Sequence, residues 1–325
     1  MKVPQFLRIW SLPIAMAGGV ASYFLYKALP VPECIGRAVS SAISIIQPGL
    51  IFAMLFVTFC KVRFESLKPS RWHLWLLAFQ LVPFILFSVA LATFHNTPQW
   101  ARVLIESAMM CLICPTATAA AVITAKLGGN QASLVSYTIQ INMAVATVAP
   151  LLLAFSHPVE GLSLSSSFLV ISSKVFPLML LPLFCASLAR RFMPHIHNWL
   201  VTKGRNLPFY LWLAALAIAI AITTRAIVHA HIPLYVMAGI GTVSLICCLL
   251  QFYAGRCIGD RYGETVTGGQ ALGQKNTVFA IWFAYTFLTP VTSIAGGFYS
   301  VWHNLVNTWQ LHRHMKNEKK PKHDN

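Results

Sequence analysis

The sequence predicts an all-α polytopic membrane protein with ten transmembrane helices. They form two inverted five-helix repeats, with discontinuous helices 4 and 9 crossing one another. Three observations predict this. Hydrophobic residues make up 57% of the chain and charged residues only 10%, with a mean hydropathy of +0.67; an ordinary soluble domain carries roughly 25% charge. Apolar runs long enough to cross the hydrocarbon core, about 20 residues each, recur along the whole length. The fourth run of each half is interrupted by small and polar residues. A soluble enzyme, a disordered chain and a nucleic-acid-binding domain are excluded by the same composition, although the net charge is +16.

The first five spans are read at Leu12–Leu29, Ala38–Cys60, Trp72–Phe94, Val103–Ala125 and Ala132–Phe155. The second five are read at Phe168–Ala189, Leu207–Ala230, Pro233–Ala254, Thr265–Thr286 and Pro290–Trp309. Short connectors with turn residues separate them, such as HNTPQ at 95–99, KLGGN at 126–130 and TKGRN at 202–206. Residues 1–160 form the first repeat, 161–311 the second, and 312–325 a polar tail expected to be disordered and cytoplasmic.

Charge sets the orientation. One side carries Lys2, Arg8, Lys61, Arg63, Lys68, Arg71, Lys126, Arg190, Arg191, Lys203, Arg205, Arg256, Arg261, Arg313, Lys316, Lys319, Lys320 and Lys322. The other carries Lys27, Arg37 and Arg102. Cytoplasmic loops are the Lys- and Arg-rich ones, which places both termini in the cytoplasm of a multi-pass inner-membrane protein. No cleavable leader is expected. Six cysteines lie in apolar runs, Cys257 in a cytoplasmic loop and Cys34 on the opposite side, so no disulfide framework is expected.

Two halves of five spans run in opposite senses, the usual build of secondary transporters. The first interruption is Cys114-Pro115-Thr116-Ala117-Thr118, the second Gly273-Gln274-Lys275-Asn276-Thr277, with Gly268-Gly269-Gln270 just before it. Pro115 lacks an N–H and clashes with the preceding turn. Backbone groups freed in a membrane need partners in protein or around a watery cavity. Matching breaks therefore point to a midplane site, whereas a single Pro115 kink is equally well an ordinary bend in a packed helix.

Lys275 is the most informative residue. A cation at helix centre costs about 2.5–3.5 kcal/mol on insertion scales, and Lys275 sits too far from either end of its span to snorkel. Glu106 is the one acid read inside a span, toward its outer end. The amine is left to be neutral, to pair with a substrate anion or to bond freed carbonyls. Gln140 and Asn142 either line a cavity or bond between helices. Lys174 and Arg225 read as snorkelling cations. His195, His197, His312 and His314 read as solvated interfacial residues with nothing to complete a metal site. Trp72, Trp75, Trp100, Trp199, Trp302 and Trp309 read as an interfacial aromatic belt. HExxH, G-x-S-x-G and Walker A sequences are absent, so an enzyme is not expected and a channel-like facilitator is the nearer alternative class.

Four stretches resemble the bile acid:sodium symporter (BASS) family, especially its bacterial ten-span members. Cys114-Pro115-x-x-Thr118 with Gly129-Asn130 resembles that family's CPGGTxSN…GN segment, and Gly273-Gln274-Lys275-Asn276 its EVGMQN segment. Ser300-Val301-Trp302-His303-Asn304 is similar to the last-span SVWHN, and Leu181-Pro182 through Arg190-Arg191 to the end of the sixth span. The resemblance implies a panel domain of spans 1, 2, 6 and 7, and a core domain of spans 3–5 and 8–10. It implies alternating access for a small organic anion, bile-acid- or carboxylate-like, usually with sodium. Thr118, Asn276, His303 and Asn304 map near the substrate cavity. The sodium-site positions depart from the pattern: its Ser-Asn pair is Ala120-Ala121, its glutamate Ala271 and its glutamine Lys275. No cofactor is expected. Sodium coupling is expected to be lost or altered, with Lys275 in the former cation site as the coupling residue; an orthodox sodium symporter is the alternative. Substrate identity and oligomeric state are not legible.

Overall fold

The computed structural model describes residues 3–62, 69–94, 96–158, 161–230 and 232–318. Lys2, Arg63, Lys68, His95, Lys319, Lys320 and Lys322 lie outside the described residues, and the side chains of Arg8 and Arg205 are not described. The chain is helical almost throughout, in the order α1 Val3–Ala28, α2 Glu33–Cys60, α3 Arg71–Thr93, α4 Gln99–Ile113, α5 Ala120–Lys126, α6 Gln131–Ser156 and α7 Leu164–Met179. There follow α8 Leu181–Phe192, α9 Pro194–Val201, a 3-10 turn at Lys203–Asn206, α10 Leu207–His229, α11 Leu234–Asp260, α12 Thr265–Gly273, α13 Thr277–Phe287 and α14 Pro290–Glu318. The protein is a polytopic α-helical membrane protein. By length and composition, six segments are long and apolar enough to cross a membrane: α2, α3, α6, Leu164–Phe192, α10 and α11.

Local chemistry starts and stops these helices. Asn130, Ser163 and Asn276 accept the backbone N–H three residues on and cap α6, α7 and α13. Gly128 and Gly263 adopt positive φ (77° and 71°) in the tight turns after α5 and α11, where a β-carbon would be strained. The sixth predicted span is not one helix: Pro177 and Pro182 flank a break at Leu180, where α7 gives way to α8. The short α9 was not foreseen. Residues 312–318, expected in a disordered tail, continue α14 as helix; 319–325 lie outside the described residues.

The helices pack in two linked groups, joined by α6 on α7 and by α10 on α14. In one, α1 lies on α10, and α2 on α8 and α10; in the other, α11 lies on α12, α4 and α14, with α3 between α4 and α6. α11 and α12 approach closely. Gly268 and Gly269, read from sequence as lying just before the second interruption, are inside helical α12. A β-carbon on Gly268 would run into the Gly255 carbonyl, and one on Gly255 into the Gly268 carbonyl. Small residues let backbones meet where lipid supplies no hydrophobic drive. Gly268→Val is therefore expected to lose folded, monodisperse protein, with an overpacking cost of about 1–3 kcal/mol or more. Gly49→Ala, where nothing lies within 4 Å, is the control and should leave thermal unfolding in detergent unchanged. Equal behaviour of the two variants would show that the contact is dispensable.

Candidate functional site

The two interruptions meet. Residues 114–119 separate α4 from α5, and 274–276 separate α12 from α13. The two segments lie antiparallel, with Thr116 opposite Lys275. Ala117 N–H donates to the Gln274 carbonyl and Asn276 N–H to the Pro115 carbonyl, both at 2.8 Å. The side chains add Thr116 Oγ1 to the Ala271 carbonyl (2.7 Å) and Cys114 Sγ to the Asn276 carbonyl (2.9 Å).

The remaining backbone acceptors are found by following what Pro115 removes. Its missing N–H would have gone to the Cys111 carbonyl; Gln251 Nε2 of α11 takes that place at 3.0 Å. The Leu112 and Cys114 carbonyls receive both hydrogens of Gln80 Nε2 from α3, at 2.9 and 3.2 Å. On the second interruption, Tyr299 of α14 donates its hydroxyl to the Gly273 carbonyl at 2.9 Å. Every one of these groups is buried, and an unpaired carbonyl in this setting would cost several kcal/mol. The breaks thus persist because three helices outside them supply donors.

Lys275 is only 1% exposed, and its Nζ donates to the Leu112 carbonyl at 3.4 Å. Cys111 and Cys114 stand close to Leu112 in the chain, and all eight cysteines are free. Ala120, Ala121 and Ala271 are buried nearby in the sequence of each break and present methyl groups only. Gln80 turns its amide nitrogen toward the crossing, while its oxygen accepts from the Tyr137 hydroxyl. Gln80 Nε2, Gln251 Nε2 and Lys275 Nζ thus turn donors toward the freed carbonyls of the crossing. Among the described residues no cluster of three or more His, Cys, Asp or Glu side chains could hold a metal.

The predicted substrate residues fall into two kinds. Thr118 and Asn304 are partly accessible, and Asn304 donates to the Ser300 carbonyl at 2.6 Å. Asn276 is buried, with its Oδ1 committed to capping α13 through Phe279 N–H at 3.2 Å. His303 is buried, with its ring edge-on to Tyr299 and Nδ1 without a hydrogen-bond partner. Of the residues left open, Gln140 bonds His73 of α3 at 3.1 Å and so serves interhelical bonding. Lys174 lies over the Phe287 ring at 5.8 Å. Trp72, read as part of the belt, is instead buried and stacked on Tyr262. Gln80, Tyr137, Gln251 and Tyr299 were missed; the only signal of Gln80 and Gln251 was a single polar group in an apolar run.

Two further polar clusters lie away from the crossing. Glu106 is 2% exposed and accepts from Arg102 Nε (3.1 Å), His157 Nε2 (2.9 Å) and Thr292 Oγ1 (2.7 Å), tying α4 to the end of α6 and the start of α14. An open polar pocket of about 390 Å³ lies between the turns at 128–130 and 263–267. There Glu264 accepts from Asn130 Nδ2 at 2.8 Å and Thr267 Oγ1 at 2.6 Å.

The two helix breaks satisfy one another inside a helical membrane bundle. The chain belongs to the sodium bile acid symporter family, whose model matches residues 48–241, more than half of the 325. That match takes in the first interruption and ends before the second. No curated protein matches the chain. By its family the protein is a membrane transporter of the organic-anion kind and not an enzyme.

Proposed function

We propose that this protein carries a small organic anion across the inner membrane by alternating access, without the sodium coupling of its family. The single observation that carries the reading is Lys275, a buried amine bonded to a freed carbonyl at the crossing, where the family resemblance puts a cation. A charged amine about 4 Å from a sodium ion would oppose it by roughly 4 kcal/mol at an effective dielectric near 20. That repulsion is a loss of about three orders of magnitude in affinity, before the missing oxygens of Ala120, Ala121 and Ala271 are counted. In this reading ten spans form two inverted repeats, with α4–α5 and α12–α13 as the crossing pair. The group α1, α2, α7–α8 and α10 is the panel, and the remaining helices are the core. The basic connectors face the cytoplasm, with both termini. Thr118 and Asn304 contact the anion directly, and Asn276 and His303 shape the site from behind.

The test is a thermal-shift screen of carboxylates on the purified protein in matched sodium and potassium salts. A ligand at 100 times its Kd stabilises the folded state by about 2.7 kcal/mol. The expected result is a saturable carboxylate shift of equal size in both salts. A large, saturable sodium requirement would instead identify an orthodox symporter, and non-saturating flux in proteoliposomes a channel-like facilitator.

A further inference from the structure

We infer that the seam where α11, α12 and α14 meet holds a file of bound water that gives the Lys275 crossing aqueous contact with one membrane face only, the face bearing the basic connectors. Half of the buried polar side-chain atoms without a hydrogen-bond partner, among the described residues, lie on this seam or at its inner end: Gln251 Oε1, Gln270 Oε1, Gln274 Oε1, Ser300 Oγ and His303 Nδ1. Their spacing is regular. Ser300, His303, Asn307 and Gln310 fall at i, i+3, i+7 and i+10, one stripe of α14. Gln270 and Gln274 stand one turn apart, at the second break and in the helix that leads to it.

The stripe is continuous with the site. Gln270 Nε2 donates to Asn307 Oδ1 (3.1 Å) and to Gln310 Oε1 (2.8 Å), near the end of α14 that carries Arg313 and Lys316. Further in, His303 meets the Tyr299 ring, and the Tyr299 hydroxyl accepts from Gln251 Nε2 at 3.0 Å and donates to Gly273. Gln251 also bonds the Cys111 carbonyl, one residue from the carbonyl that holds the Lys275 amine. A dry orphan costs as much as a lost hydrogen bond, and five in one seam exceed what a marginally stable fold tolerates. Water needs two to four polar partners, and this stripe offers them at each turn. In the other half of the second broken helix, beyond Thr277, the residues Val278, Phe279, Ile281 and Phe283 are buried and apolar, and Trp282 carries only an indole N–H.

The inference rests on the proposed orientation only for the name of the face, and its test needs no substrate. A failed anion screen would therefore sink the functional reading and leave this one standing. Ser300→Cys is reconstituted in vesicles of known sidedness and exposed to 2-aminoethyl methanethiosulfonate on one side, with free cysteine as scavenger on the other. Peptide mass spectrometry reports position 300 apart from the native cysteines. The expected rate is roughly tenfold faster from the basic-connector side, and Gln270→Leu, which removes the amide that wets the seam, should slow it roughly tenfold. Gln274→Cys reports the same path if Ser300→Cys does not fold. Modification at equal rates from both sides, none above that of buried Cys248, or a rate indifferent to Gln270→Leu would overturn the inference.

Discussion

Glu106→Ala should be the most damaging single substitution outside the crossing. Removing one member of a buried charged cluster typically costs about 3–5 kcal/mol, because the other members keep their desolvation penalty. Here Arg102, His157 and Thr292 all donate to the one carboxylate, so three helices lose their common acceptor together. Against a total stability of about 5–15 kcal/mol, that loss should show as a large fall in the thermal midpoint in detergent. Glu106→Gln keeps an oxygen for the Thr292 hydroxyl and should lose much less. A Glu106→Ala protein that unfolds with the wild type would mean that the cluster is solvated and contributes nothing.

The second large effect concerns Lys275. Removing a buried charge that has no acidic partner can be neutral or even stabilising, and Gln80 still covers the Leu112 carbonyl when the amine is gone. Lys275→Met is therefore expected to fold. In proteoliposomes with a carboxylate found by the thermal screen, it should lose uphill accumulation while exchange of labelled for unlabelled substrate continues. A variant that still concentrates substrate would remove the amine from the coupling step. The complementary experiment restores the family pattern with Ala120→Ser, Ala121→Asn, Ala271→Glu and Lys275→Gln together. This fourfold variant should gain a sodium-dependent stabilisation that the wild type lacks, whereas Lys275→Gln alone, still without a carboxylate, should not. Sodium dependence already present in the wild type would contradict both halves of the prediction.

The breaks were legible in the sequence because they violate a strong local rule. Pro115 cannot donate, and a lysine in mid-span is costly enough to demand a reason. Their partners were not legible. Gln80 and Gln251 each stand alone in an apolar run, where ordinary interhelical bonding gives the same pattern; only the fold shows that they replace the donors that Pro115 and the bend take away. Gly268 and Gly269 were open to two readings. Glycine in a membrane helix signals either a break or a close approach, and the neighbouring Gly255 and Gly259, a helix away, decide for the second. The sixth span hid its kink because Pro177 and Pro182 lie within one uniformly apolar run, which a length window counts as one element. Asn276 caps α13 through its Oδ1, a role that an asparagine before an apolar helix shows only once its backbone angles are known.

The mutual satisfaction of the breaks also sets a timetable for making the protein. The Pro115 carbonyl and the Ala117 N–H have no partners in the first half of the chain; theirs are at Gln274 and Asn276, and Cys114 waits for a carbonyl 162 residues later. At about 5–20 residues per second of synthesis, that is a delay of roughly ten to thirty seconds. During this interval the α4–α5 segment is in or beside the bilayer with bare amides. It cannot settle as an ordinary span and must be sheltered by the insertion machinery, or remain hydrated at the interface, until α12 and α13 emerge. A truncation that ends before residue 274 should accordingly leave α4–α5 accessible to water-soluble reagents while α2 and α3 are already protected.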